Sequence, residues 1–160
     1  MIDAMKTPQG LWLRAIMAVV LGAMSMAATA ATESEASKAE NTPSEYYYDF
    51  GKKAGIKTII DDFVGVVAAD NRINQYFAGA NIPRLKMALT NQVCGALGGP
   101  CEYKGANMKQ VHKGMDVTEA AFNALTEDLM VAMNKHNVPL DAQNHLIKIL
   151  APMARPIVTK

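Results

Sequence analysis

From Ile56 onward the apolar residues fall at Ile56, Ile59, Ile60, Phe63 and Val67, three or four apart, as one face of an α-helix requires. That spacing predicts a helix. Asn71 to Phe77 reads as a short turn-like stretch. Gly79 and Pro83 then punctuate the chain, and Pro83 suits the first turn of a new helix, where its missing amide hydrogen costs nothing. Leu85, Leu89 and Val93 make the next stripe, which Gly98-Gly99-Pro100 must end. Thr118 is the expected N-cap of a third helix carrying Phe122, Leu125, Leu129 and Met133, and Asn137 and Pro139 stop it. A fourth starts around Asp141 and presents Leu146, Ile149, Leu150 and Met153 before Pro156. No segment alternates with period two, so the expected class is all-α.

The pattern is different ahead of this helical region. Lys6 and Arg14 precede an apolar run from Ala15 to Ala28, and Ala28-Thr29-Ala30 places small residues where a signal peptidase cuts. Residues 1–30 are therefore expected to be a cleaved signal peptide, giving a periplasmic or otherwise exported protein that begins near Ala31. The run is short of the about 20 strongly apolar residues that span a bilayer, and membrane contact is expected only if it stays uncleaved. Residues 31–45, mostly small and polar with one Pro, read as a flexible linker. One folded domain, 46–160, follows.

Lys plus Arg total 16 against 15 for Asp plus Glu. That balance lacks the basic excess of a nucleic-acid-binding surface. Half of the residues are hydrophobic and only 6% aromatic, enough for one modest core. The 11 Met residues suit a pocket for a large apolar ligand and serve equally as ordinary core filler.

The sequence contains no GxSxG, P-loop, HExxH or GxGxxG-after-strand motif. Asp61-Asp62 lies off the apolar stripe and reads as a solvated face. Three histidines remain. His136 and His145 sit in polar surroundings and are expected to be exposed. His112 follows Met108 by four residues, so the two share one face of a helical turn. They cannot be opposite axial ligands of one haem. A lone His is a poor metal site unless the cofactor brings its own ligands, as a porphyrin does with four nitrogens. Cys94 and Cys101 do not form CxxCH, which excludes c-type attachment. Whether they pair across the Gly-Gly turn or stay as thiols is left open at this level.

The stretches DDFVGVVAADNRINQYFAG, RLKMAL, ALGGPCEYKGANMKQVHKGM and VPLDAQNHLIKILAPM together make the chain from Tyr46 to its C-terminus similar to group 1 truncated haemoglobins. The resemblance implies a two-over-two helical sandwich around noncovalent haem b. It implies that His112, in MKQVHKGM, is the proximal iron ligand and that Phe77, in QYFAG, packs flat on the haem. Phe63 would stand beside the distal pocket, Leu85 and Leu89 would face the bound ligand, and Arg84 or Lys86 would pair with a propionate. Met108, Val117 and Phe122 would be further wall residues.

The chain departs from the family pattern in two respects. The glycine pair before the first main helix is here Gly51-Lys52, and the polar Tyr and Gln that many members use to hold bound oxygen are here Val64 and Leu89. A lost charge-assisted hydrogen bond costs about 1 to 3 kcal/mol, so oxygen is expected to leave quickly unless Gln92 or Thr90 supplies a donor. The expected function is reversible binding of oxygen, CO or NO for transport, storage or sensing. The alternatives are a nitric oxide dioxygenase or peroxidase-like enzyme with a reductase partner, and a haem-free helical interaction domain.

Overall fold

A computed structural model describes residues 43–160. The expected signal peptide and nearly all of the linker lie outside them. Every regular element among the described residues is helical.

The first, α1 (Glu45–Asp49), begins one residue inside the expected linker. It buries Tyr47 and is followed by the buried Phe50. One turn is too short to show a helical period, which is why the pattern did not reveal it. Gly51 and Lys52 both take left-handed backbone angles, φ 71° and 59°. The turn before α2 is thus made without the second glycine, at a cost of about 1 to 2 kcal/mol for the side-chain-bearing residue.

The second helix, α2 (Lys52–Ala69), buries the whole predicted stripe and also Val64. The buried arc is wide because α2 packs along two helices, α3 (Ile82–Ala96) and α5 (Glu119–Lys135). Asn81 caps α3 by accepting the Arg84 amide at 3.0 Å, and Pro83 lies in its first turn as expected. Thr118 caps α5 by accepting the Ala121 amide at 3.1 Å. The predicted Asn71 to Phe77 turn ends in a 3₁₀ turn, Asn74–Phe77.

The last long helix, α6 (Leu140–Leu150), stops short of Met153. Pro152 has no amide hydrogen to continue the ladder, so Ala151–Met153 tightens into a 3₁₀ turn before the short α7 (Ala154–Ile157). Pro156 sits within α7 rather than ending the preceding helix. The pair α2–α3 lies over the pair α5–α6, with α2 on α5 and α3 on α6. This is the two-over-two sandwich that the resemblance implies.

Cys94 and Cys101 form a disulfide, their Cα atoms 5.7 Å apart. It ties the end of α3 to the loop that leads to a four-residue helix, α4 (Met108–Val111).

The surface expectations change in two places. His136 is half-buried, its Nε2 2.7 Å from Asp62 Oδ2, and His145 is half-buried with its ring stacked on Tyr46 at 4.1 Å between centroids. Their partners come from α2 and α1, far away in sequence, so local polarity could not reveal them. Asp61-Asp62 keeps its solvated face and carries ion pairs there. Asp61 meets Lys57 at 2.6 Å and Lys86 at 3.1 Å, and Asp62 also meets Lys135 at 3.0 Å.

Candidate functional site

Three apolar chambers share walls between the helix pairs. The largest of the three, about 130 Å³, lies among α2, α3, α4, α5 and the C-terminal turns and is bounded by Phe63, Leu89, Gln92, Met108, His112 and Phe122. A second, about 70 Å³, shares His112, Phe122, Leu125 and Ile157 with it and adds Phe77, Met115 and Val117. The third, about 30 Å³, continues from Phe63 and Leu89 to Val64, Phe77 and Leu85. These shared residues make one branched slot with His112 where two branches meet.

His112 is brought there by local chemistry. Gly98 adopts φ 73°, and a side chain at Gly99 would overlap the Tyr47 ring and the Cys94 carbonyl, so the glycine pair both turns the chain and lets it pass close to α1. Asn107 then caps α4 by accepting the Gln110 amide at 2.9 Å. His112 follows as the C-cap residue, half-buried. Its Nδ1 lies 2.8 Å from the Met108 carbonyl oxygen. A carbonyl can only accept, so Nδ1 carries the hydrogen and Nε2 keeps its lone pair. Nε2 has no hydrogen-bond partner among the described residues. An imidazole oriented through one nitrogen with the other held as a donor of electrons is the usual form of a metal-ligating histidine.

The structure gathers Phe63, Val64, Phe77, Leu85, Leu89, Met108, Val117 and Phe122 around the slot with His112. It does not bring Arg84 or Lys86 there. Each flanks the Leu85 position by one residue, about 100° around the helix. Arg84 is exposed with no ion pair among the described residues, and Lys86 turns to an outer groove and binds Asp61. Thr90 also faces that groove, its hydroxyl donating to the Lys86 carbonyl at 2.7 Å. Gln92 faces the slot.

Sequence reasoning missed the wall formed by Leu150, Met153 and Ile157. Leu150 and Met153 were expected on the apolar face of the last helix but were not assigned to a slot, and Ile157 lies beyond Pro156, where that helix was expected to stop. It also missed Tyr76 and Met115, which line the second chamber from turns without a period.

The geometry agrees with what similar proteins look like. A model of the bacterial-like globin family matches residues 45–159. The group 1 truncated hemoglobin GlbN of Mycolicibacterium paratuberculosis is 34% identical over 117 residues, covering 73% of this chain and 86% of that protein. The group 1 truncated hemoglobin of Tetrahymena pyriformis is 28% identical over 120 residues, or 75% and 99% of the two chains. A crystal structure of truncated hemoglobin from Tetrahymena pyriformis in its Fe(III) form superposes with a TM-score of 0.69 at 27% identity, covering 72% of this chain and 98% of that one.

Proposed function

Since the chain belongs to the bacterial-like globin family, and so to proteins that bind diatomic gases through haem, we propose that its slot takes haem b without a covalent bond, with His112 as the proximal iron ligand. The observation that carries this reading is the Nδ1 contact to the Met108 carbonyl at 2.8 Å, which leaves Nε2 as the free electron-pair donor of an apolar slot. Haem supplies the iron and four of its ligands, and one protein imidazole completes the set needed for reversible gas binding. Phe63, Phe77 and Phe122 offer flat apolar surface to the ring, with Met108 and Val117 beside them. The disulfide consumes both cysteines, leaving no thiol for a thioether link.

Reversible gas binding is favoured over turnover because Val64, Leu85 and Leu89 present hydrocarbon where activation of oxygen would need donors. An oxidising compartment suits the Cys94–Cys101 bond, so we place the mature protein outside the cytoplasm, its N-terminus near Ala31. Sequencing of that terminus checks the export claim.

The absorption spectrum of purified protein separates a haem protein from a haem-free helical domain. Its ferrous form is expected to be five-coordinate. His112→Ala removes the protein bond to iron and is expected to abolish stable haem retention, while His136→Ala and His145→Ala leave the spectrum unchanged. A wild-type ferrous spectrum in His112→Ala would refute the ligand assignment. Rapid consumption of nitric oxide by the oxygen-loaded protein with a reductase would refute simple gas binding.

A further inference from the structure

We infer that the outer groove between α2 and α3 binds a small organic dianion, a phosphomonoester or dicarboxylate that carries a short apolar body. The groove holds about 490 Å³, more than any chamber of the slot and within the roughly 300 to 1,000 Å³ of small-molecule sites. Of its lining only Ile82 also borders the slot. The site therefore stands apart from the haem reading above.

Its charge is one-sided. Lys53 and Lys57 reach the groove from α2 and Lys86 from α3, against a single carboxylate, Asp61. Lys57 meets Asp61 Oδ2 at 2.6 Å and Lys86 meets Oδ1 at 3.1 Å, so the two helices already converge their ammonium groups on one small anion. Lys53 has no ion pair among the described residues, and the Asn91 side chain, also in the groove, has no hydrogen bond among them. Three ammonium groups facing one carboxylate leave an excess of two positive charges, which a dianion neutralises. Lys53 and Lys57 stand at i, i+4 on α2, where like charges destabilise a helix and a shared anion relieves them. The first turns of α2 and α3 contain no acidic residue, and Lys53, Ile82 and Pro83 set the groove against both of these positive helix ends. α3 also contributes hydrocarbon: Ile82 and Met87 line the groove and are exposed to solvent, which gives the carbon body of the ligand a surface to cover.

Calorimetric titration of the purified protein at fixed ionic strength tests this with phenyl phosphate, phenylsuccinate and inorganic phosphate. Saturable one-to-one binding of phenyl phosphate or phenylsuccinate is expected, tighter than that of inorganic phosphate, and the tighter of the two names the headgroup. Lys53→Gln combined with Lys86→Gln is expected to weaken binding about tenfold, as the loss of two exposed ion pairs would. Lys148→Gln, exposed on α6 and outside the groove, should leave it unchanged. Asp61→Asn removes the resident competitor and is expected to tighten binding about threefold. Met87→Gln should weaken the phenyl compounds and spare inorganic phosphate. Absence of saturable binding, unchanged binding in the double lysine variant, or an equal loss in Lys148→Gln overturns the site. Inorganic phosphate bound as tightly as the phenyl compounds overturns the organic body of the ligand.

Discussion

One wall of the slot is made from α2, α3 and α5, whose side chains Ile56, Ile60, Val93, Leu129 and Met133 are nearly or wholly removed from solvent. The opposite wall is the segment from Gly98 to Asp116, where most residues are exposed and the one helix is a single turn. The first wall is held by many apolar contacts. The second is held at points: the disulfide at one end, the Asn107 cap, the Tyr103 hydroxyl on the Ala106 carbonyl at 2.9 Å, and His112 on the Met108 carbonyl. Stability within one domain follows buried apolar contact, and thinly packed segments open locally at lower free energy than the whole. The hydrocarbon that shapes the slot is therefore globally stable, while the proposed iron ligand sits on the part that opens first. A large planar cofactor has to enter somewhere, and this is the side with the fewest contacts to break.

The largest expected effect tests the well-packed wall. Ile56→Ala removes a fully buried side chain from α2 and is expected to cost about 2 to 5 kcal/mol, seen as a lower denaturation midpoint for the entire domain. A loss confined to the Gly98–Asp116 amides in hydrogen exchange would contradict the division between walls.

Removing the disulfide tests the other wall. Cys94→Ser with Cys101→Ser, or reduction of the native protein, is expected to cost about 2 to 3 kcal/mol from the regained freedom of the open loop. Its signature is local. Hydrogen exchange should rise between Gly98 and Asp116, and haem transfer to an acceptor globin should quicken, with α2 and α5 little changed.

Asn107→Ala is expected to cost about 1 kcal/mol by leaving the Gln110 amide without its partner at the start of α4. The change should appear in haem release before it appears in global unfolding. Equal effects on both would mean that α4 folds as one unit with the long helices.

The smallest effect concerns charge in the well-packed wall. Burial, with repulsion from Asp70 and Glu127, pushes the Asp128 carboxyl above its ordinary value despite attraction from Arg72, and its Oδ2 has no partner among the described residues. A raised folded-state value means that Asp128 favours folding when protonated and opposes it as pH rises through that value. Asp62 is the reverse, held low by hydrogen bonds from Lys135 and His136, so its contribution is present above its unfolded value of 3.8 and is lost as pH falls below it. Asp128→Asn is expected to stabilise the protein slightly at neutral pH, by under about 1 kcal/mol, whereas Asp62→Asn destabilises it there and has little effect in acid. Thermal melts of both variants across pH 3 to 7 check the opposite signs.

Much of this protein was legible in its residues. The four long helices, the Thr118 N-cap, Pro83 in the first turn of α3 and the stop at Gly98-Gly99 follow from spacing and from the hydrogen-bonding needs of helix ends, which are local properties. The family resemblance carried the slot, because motifs such as ALGGP and MKQVHKGM preserve local geometry: a close turn against Tyr47, then a capped turn that presents His112. What tertiary structure decided is the direction in which borderline side chains face and the company they keep. Gln92 shares the helical face of Leu85, and Thr90 lies about 200° around α3 from Gln92, but the contact of one with Met153 and of the other with the outer groove came only from how the helices docked. His136 and His145 found partners on α2 and α1 that no local pattern announces. Lys86 went to Asp61, because an opposite charge on α2 lay within reach once the helices had docked. Periodicity reports which face of a helix is buried, but a contact between distant segments depends on how the helices cross, and that is fixed only when the whole core packs.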